Sequence, residues 1–539
     1  MSMLIPSILV KYYALTQLNV VGPRQLARSL NSPKIRALLL ALALPASALS
    51  TPCSSALHPA QVQGSGDSSP MVGAHVTVQG VVTLITPNIG GFFIQAEPNG
   101  NPSASDGLFV YAPSQTSSVG ERVAVTGEVK EFHGLTELTR VTQIANCGVA
   151  ERPPAIPLGP HREVSEALEN MRVTLPETTI LDNFQLLRVG ELVVGTETQQ
   201  WRLEDASNQR QLTTLPWGLP QDATWLANGN TLAPVTGVLT WRWGRWVILP
   251  EHPLNITRQN WQRPETDPSA LRIASFNLQN AFNGTAGSFQ GSRGARNAQQ
   301  WQAQRQKIIA ALHHLDADLL ILQELQHDRG LATPVLAEIT ALLAPQRNYE
   351  ALAPYRRPTD DAITNALLFD PQKLRPIGEL TRIETAPRPA LLQQFERLDN
   401  GERFWLIAVH MKSRGRNCVL FCKAERAEEL ALILSTLGEL EHPTPRILAG
   451  DFNTLPHERL WQPLLAQGWQ RLPIAEPTYW FRGQAQQIDH FWVKGLAHKP
   501  SAWGQPGHAE MPPMDALHPL YEPSRPWGAS DHNPIMMHW

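Results

Sequence analysis

The chain has 539 residues, more than one hydrophobic core usually serves, so two or three domains are expected. Its 42% hydrophobic and 17% charged residues exclude a disordered chain. A formal net charge of −3 excludes a basic footprint over the whole surface and leaves room only for local basic strips.

Near the N-terminus, Lys34 and Arg36 precede the apolar stretch Ala37 to Leu44 and the small-residue sequence Ala46-Ser47-Ala48. That order predicts an export signal over residues 1–48, including an upstream extension. The stretch is too short to cross a bilayer, so no membrane insertion is expected after cleavage. The mature chain is then periplasmic or extracellular. Residues 49–70, rich in Ser, Pro and Gly, read as a disordered linker. Four cysteines in an exported chain suit two disulfides. Cys53 and Cys147 bracket the first β-rich region, and Cys418 and Cys422 are neighbours in one loop.

Between residues 71 and 150, β-branched and aromatic runs such as Gly91-Phe92-Phe93-Ile94-Gln95 and Leu108-Phe109-Val110-Tyr111 alternate with turns. No helical period is present, which predicts a small closed β barrel. Glu151 to Pro160 reads as a linker. Residues 161–255 form a second β-rich unit, expected to be a degenerate copy of the first because both end in a Thr-Gly-Val-like element. Within it, Trp241-Arg242-Trp243-Gly244-Arg245-Trp246 interleaves aromatics with arginines. Strand alternation places Trp241 and Trp243 on one face, either as a stacking platform or as packing on the barrel, with packing favoured. Pro250 to Pro268 reads as the next linker.

From Leu271 to Trp539 the texture changes. Strand-like runs alternate with helical stretches, Gln299 to Leu315 and Glu425 to Leu440, whose apolar residues recur at a helical period. Alternation of this kind predicts α/β layers. Several apolar runs end in polar clusters: Ser275-Phe276-Asn277, Gln323-Glu324, His410, and Gly450-Asp451-Phe452-Asn453. Two Asp-His pairs, Asp489-His490 and Asp531-His532, lie near the C-terminus. A buried carboxylate after an apolar strand, as at Glu324, is costly without a partner and so reads as a cation ligand. An imidazole with a carboxylate beside it is tuned for proton transfer.

These clusters, in this order and each at a strand end, resemble the endonuclease/exonuclease/phosphatase superfamily of pancreatic deoxyribonuclease type. The first β region resembles the oligonucleotide-binding module that precedes some bacterial extracellular nucleases. The resemblance implies a two-sheet sandwich flanked by helices, preceded by one or two small all-β barrels. It implies hydrolysis of DNA, or RNA, by metal-assisted attack of water, with Mg²⁺ or Mn²⁺ and an accessory Ca²⁺, in a monomer. The implied roles are Glu324 and Asn277 as metal ligands, with Asp531 at the metal or the base. Asp451 positions or deprotonates water, and Asn453 donates to developing phosphate charge. His532, oriented by Asp489, activates water or contacts phosphate, and His410 contacts phosphate or the leaving oxygen. Lys412 and Arg414 suit the substrate backbone, and Asp361, in a DAI segment of the bacterial group, is a candidate to orient His410. The segment Glu324-Leu325-Gln326-His327-Asp328 departs from the family pattern by losing an acid, which leaves a second metal in doubt. The alternatives are the same chemistry on a lipid or inositol phosphate, and a nucleic-acid-binding protein whose catalytic domain has decayed.

Overall fold

The computed structural model describes residues 52–114, 117–159, 162–183, 185–186, 190–196, 199–204, 226–257, 267, 269–284, 289, 291–327, 334–353, 361–415, 421–440, 444–481, 484–509 and 527–539. The export signal expected over residues 1–48 and Cys418 lie outside these residues. Residues Ala56–Trp539 fold as one unit. Cys53, Cys147 and Cys422 are each disulfide-bonded. Among the described residues no helix is long and apolar enough to cross a membrane.

β1 (His75–Thr86), β2 (Gly91–Gln95), β3 (Gly107–Tyr111), β4 (Glu121–Phe132) and β5 (Leu135–Val149) close into a barrel in the order β1-β2-β3-β5-β4. The first strand serves two neighbours, pairing with β4 through His75–Val81 and with β2 through Val81–Thr86. Val78, Phe92, Ile94, Leu108 and Val125 fill the interior. Gly91 is required where β2 crosses β3, since a Cβ there would stand 2.0 Å from the Val110 carbonyl oxygen.

The segment expected to be disordered, residues 49–70, is instead ordered where it is described. Leu57 N–H donates to Thr77 O at 2.8 Å. The short helix α1 (Pro59–Gln63), closed by a capping box on His58, buries Val62 completely in the barrel core. Composition missed this because two apolar anchors and one cap suffice to order a Ser/Gly-rich stretch.

The second region comprises β6 (Ile156–Pro157), β7 (Arg172–Leu175), β8 (Thr178–Asp182), β9 (Glu191–Gly195), β10 (Gln200–Glu204), β11 (Thr231–Leu232), β12 (Val235–Arg242), β13 (Arg245–Pro250) and β14 (Ile256–Thr257). They form one sheet, ordered β14-β11-β8-β9-β10-β13-β12-β7-β6. That order retraces the first barrel. The pair β7 and β8 stands in for β1, interrupted at Pro176, which lacks the N–H a continuous ladder needs. The strand β7 pairs with β12 as β1 does with β4, and β8 with β9 as β1 does with β2. Parallel pairing of β10 with β13 repeats that of β3 with β5. Even the hydroxyl pair recurs: Thr77 and Thr126 Oγ1 atoms lie 2.8 Å apart, Thr174 and Thr236 Oγ1 atoms 2.9 Å apart. Leu158 N–H donates to Thr174 O at 2.9 Å, as Leu57 does to Thr77. One closed barrel is thus followed by a copy with a split first strand.

Phe93, Phe109 and Leu135 of the barrel pack on Val238, Val247 and Leu249 of the copy. Glu251 receives Arg172 Nε at 2.6 Å and Arg152 Nη1 at 2.7 Å. Where they are described, the proline-rich segments read as linkers are therefore laid into the fold, as β6 and β14 and through this ion-paired cluster. The Trp241–Trp246 run forms a hairpin whose turn places Trp243 at φ +55° and leaves it 70% exposed. The turn breaks the alternation, so Trp241 does not share a face with Trp243. It packs edge-on against Trp246, and its Nε1 donates to His133 O at 3.1 Å.

The remaining strands are β15 (Arg272–Ala281), β16 (Leu319–Gln326), β17 (Glu350–Leu352), β18 (Ile363–Phe369), β19 (Leu374–Ile383), β20 (Ala390–Arg397) and β21 (Arg403–His410). They continue with β22 (Arg446–Asp451), β23 (Gln470–Arg471), β24 (Tyr479–Phe481), β25 (Gln484–Gln486), β26 (Asp489–Lys494), β27 (Ser501–Gly504) and β28 (Ile535–His538). Two six-stranded sheets result, β17-β18-β16-β15-β28-β27 and β19-β20-β21-β22-β26-β23. Ile273, Ile321, Leu406, Ile447 and Phe491 meet between them. Ala274, Phe276, Leu320 and Leu322 face outward onto α2 (Ala298–Leu315) and α3 (Pro334–Leu343). On the other side, Ile407, Val409, Leu448 and Trp492 face α4 (Phe421–Gly438) and α5 (Gln462–Ala466).

Between barrel and copy, Glu169 is fully buried. Its Oε2 accepts from Gln63 Nε2 at 3.2 Å and Thr136 N–H at 3.3 Å, while Oε1 has no partner. Burial, helped by the charge of Glu166, raises its carboxyl to about 9. A carboxyl raised in the folded state stabilises fully below its ordinary value of 4.5, and that contribution is lost as pH rises toward about 9. Glu169→Gln is therefore expected to flatten the fall in urea midpoint across that window, by up to about 1.4 kcal/mol per pH unit. A slope equal to the parent's would show that Glu169 does not titrate this way.

Candidate active site

Strand parity delivers most of the polar cluster. In β15, Ile273 faces the space between the sheets and Phe276 faces α2, so Asn277 points inward. The same count places His410 on the inner face after Leu406 and Ala408, Asp451 after Ile447 and Ala449, and Asp489 before Phe491 and Val493. β15 and β16 run parallel, as do β21 and β22, and Asp451 pairs with Asp489 across β22 and β26. All these residues therefore gather at one end of the sandwich.

Glu324 arrives by a different route. Parity along β16 would turn it outward, but its φ of +60° and a register shift between Leu322 and Leu325 rotate it into the cleft. A left-handed residue other than glycine costs roughly 1–3 kcal/mol and marks an over-determined site. Its Oε2 accepts from Asn280 N–H at 2.8 Å, and Arg293 pairs with its Oε1.

Asn277 Nδ2 donates to Glu324 Oε1 at 3.2 Å and to Asp451 Oδ2 at 3.1 Å, while its Oδ1 accepts from Gln279 N–H at 3.0 Å. In this pose the amide bridges two carboxylates that would otherwise repel, and it does not offer the oxygen expected of a metal ligand. Asn453 N–H donates to Asp451 Oδ1 at 2.8 Å, and Asn453 Nδ2 to Asp451 Oδ2 at 3.1 Å. His410 Nε2 stands 3.5 Å from Asp451 Oδ2 and 3.8 Å from Glu324 Oε1. His532 Nδ1 donates to Asp489 Oδ2 at 3.0 Å, its Nε2 lies 3.9 Å from Asp451 Oδ2, and the Tyr479 ring covers it at 4.8 Å. Ser530 ties this last segment to β15 by donating to Asn277 O at 2.6 Å.

Asp361 is not brought to His410. Its Oδ2 accepts from Arg388 Nη1 at 2.9 Å, and His410 Nδ1 has no hydrogen-bond partner. Arg388 instead holds the chain, donating to His410 O at 3.2 Å and to Met411 O at 2.8 Å. Lys412 and Arg414 lie beyond the carboxylates. The Lys412 ammonium is 3.8 Å from Glu425, and exposed Arg414 donates to Gln486 Oε1 at 2.8 Å. Arg293, Arg388 and Tyr479 escaped the sequence reading because none sits in a motif and each is recruited only by tertiary folding.

Burial works against the charge of His532, but Asp489, then Asp451 and Asp531, outweigh it and raise the imidazole to about 10. Burial and the charge of Asp489 raise the Asp451 carboxyl to about 7. Burial, with Arg388, His532 and Arg293 nearby, holds His410 well below its ordinary value, so it is neutral. Asp531 is raised by burial, and its Oδ1, shut off from solvent, has no hydrogen-bond partner among the described residues.

Donor atoms of Asp451, Asp489 and His532 lie within 4.8 Å of one another. His532, however, is committed to Asp489 as a protonated ring and is a poor ligand. Glu324, Asp451, Asp489 and Asp531 place four carboxylates beside Arg293 and the His532 imidazolium. The negative excess and the orphaned Asp531 Oδ1 fit a hard divalent cation near Glu324 and Asp531.

Residues 274–532 match the Endonuclease/Exonuclease/phosphatase family. That match spans the two-sheet sandwich. Solved structures with a likeness include the endonuclease/exonuclease/phosphatase from Bacteroides vulgatus, at 14% identity, covering 50% of this chain and 98% of its own, with a TM-score of 0.35. The human Nocturnin catalytic domain is 17% identical over 50% of this chain and 93% of its own, at 0.34. A mannosyl-6-phosphatase of Bacteroides thetaiotaomicron is 18% identical over 50% and 98%, also at 0.34. No curated protein matches the chain.

The His532–Asp489 pair gives a direct test. Replacing Asp489 by Asn removes the charge that overcomes burial, so His532 should titrate far below about 10 in imidazole ¹⁵N spectra of the metal-free protein. Hydrolysis should fall by about 10²–10⁴-fold. An unmoved resonance would refute the assigned pair.

Proposed function

We propose that the chain is an exported nuclease that hydrolyses phosphodiester bonds of DNA, with RNA as an alternative substrate, using Mg²⁺ or Mn²⁺. One observation carries this reading: Glu324, His410, Asp451, Asp489 and Asp531–His532, from five separate segments, meet at one end of the sandwich with their charges unbalanced. The tandem β modules ahead of the domain and the basic residues after His410 support a polymeric substrate over a lipid. Disulfide-bonded Cys53, Cys147 and Cys422 support export.

Glu324 and Asp531 would hold a divalent cation, which when bound would supply positive charge to the phosphoryl oxygens. Asp451, with its carboxyl near about 7, accepts the proton of the attacking water while Asn453 holds both of its oxygens in place. His532 remains an imidazolium through the neutral range and donates from Nε2 to a phosphoryl oxygen as charge builds. This assigns His532 to phosphate contact and not to water activation. His410, neutral, serves as a hydrogen-bonding partner for phosphate and not as the acid for the leaving oxygen.

The test is nicking of supercoiled plasmid by purified protein, with and without chelator, alongside RNA and sphingomyelin. Glu324→Ala and His532→Ala are each expected to lose about 10²–10⁴-fold in rate, and chelator should stop the reaction. Parent-like nicking by either variant, or turnover of sphingomyelin alone, would overturn the assignment.

A further inference from the structure

We propose that a cavity beside the cleft holds a non-scissile phosphate of the substrate strand together with its nucleoside, an inference that rests on the nuclease reading. The cavity measures about 710 Å³, within the range of small-ligand sites. It opens where two site-bearing segments continue past their motifs, the basic stretch after His410 and the turn after Asn453. Its cationic wall is Arg414, Lys423, Arg426 and Arg459, and its floor is apolar, with Leu430 and Leu455 among the lining.

Charge within the cavity favours an anion. Among the described lining residues Glu458 is the one acidic side chain, and it is already engaged: its Oε1 accepts from Leu455 N–H at 3.1 Å, and its Oε2 lies 3.5 Å from Lys423 Nζ. Arg426 is only 2% exposed and donates Nη1 to the Lys412 carbonyl at 3.0 Å, with Glu458, Glu429 and Asp451 supplying negative charge around it. Arg414 is likewise bonded to a neutral group, Gln486 Oε1. Guanidinium groups hydrogen-bonded only to neutral oxygens keep donors that suit bidentate recognition of phosphate. The apolar floor beneath the arginines suits a base or sugar, and guanidinium planes also stack on bases.

The cavity is linked to the chemistry by short connections. Asn453 Nδ2 donates to Met411 O at 3.1 Å, and the next carbonyl, of Lys412, accepts from Arg426. A strand whose scissile phosphate lies at His532 and Asp451 would therefore pass a neighbouring phosphate to Arg426 and Arg459. This would distinguish long strands from small diesters.

The experiment compares the full-length parent with Arg459→Ala, Lys423→Ala and Arg459→Lys, none of which alters the carboxylate cluster. Binding of a fluorescein-labelled single-stranded oligonucleotide is measured in chelator across salt concentrations. Hydrolysis is measured on the same oligonucleotide and on bis(p-nitrophenyl) phosphate. Each alanine variant should lower the slope of log K against log salt by about 0.7 and raise the KM for oligonucleotide. Cleavage of the small diester should stay at the parent rate, and Arg459→Lys should restore most of the slope. An unchanged slope in Arg459→Ala, or equal losses on both substrates, overturns the cavity assignment while leaving the nuclease reading intact. A parent that neither binds nor cleaves the oligonucleotide but cleaves the small diester overturns the nuclease reading, and the cavity assignment with it.

Discussion

Crowding carboxylates into a space with little water is the constraint on which the site depends. Glu324, Asp451 and Asp489 are almost wholly buried, and Asp531 adds an oxygen shut off from solvent. Isolated ions in such a place are costly, so each must find a donor, a counter-charge or a shared proton. The protein uses all three. The Asn277 amide bridges Glu324 and Asp451, Arg293 and the His532 ring bring positive charge, and Asp451 rises to about 7. The two-sheet core keeps the groups from drifting apart, because they stand on strands whose inner faces are packed against one another. Preorganised charge of this kind is what a phosphoryl transition state requires.

Four of these positions were legible because strand parity is a local rule. Asn277, His410, Asp451 and Asp489 each follow or precede an apolar alternation that fixes which way they point. Glu324 was singled out as a costly buried carboxylate, yet its orientation depends on a left-handed backbone that the apolar run does not announce. Asp361 shows the limit more sharply. A carboxylate near a histidine strand suggests an orienting pair, but Arg388 comes from a distant turn and takes the carboxylate for itself. Only the folded chain reveals that Arg388 then fixes the backbone at His410 and Met411. Pairings made by tertiary closure leave no spacing to read.

The β modules show the same division. The repeated Thr-Gly element was visible, and it now corresponds to a repeated hydroxyl pair at Thr77–Thr126 and Thr174–Thr236. The split at Pro176 explains why the second copy was harder to see, since one long strand became two short ones. Residues 49–70 were misjudged by composition, because Leu57 and Val62 are too few to shift an average yet enough to pin the segment to the barrel.

The hairpin β24–β25 joins these halves of the molecule. Thr478, just before it, accepts from the Ile488 and Asp489 N–H groups through Oγ1 at 3.0 and 3.2 Å, and its carbonyl accepts from Asn533 N–H at 2.8 Å. Tyr479 then covers His532, and Gln486 at the far end accepts from Arg414. One short element thus sets the backbone of the orienting carboxylate, shields the imidazole and holds a basic residue of the loop after His410. The outer strand of this hairpin, β25, lies against β8 of the second β module. The second β module therefore reaches the hairpin that holds Thr478 and Tyr479, and through them the backbone of Asp489 and the ring of His532. The carboxylate–imidazolium pair itself rests on the 3.0 Å bond between His532 Nδ1 and Asp489 Oδ2, and such a pair weakens steeply as that bond lengthens.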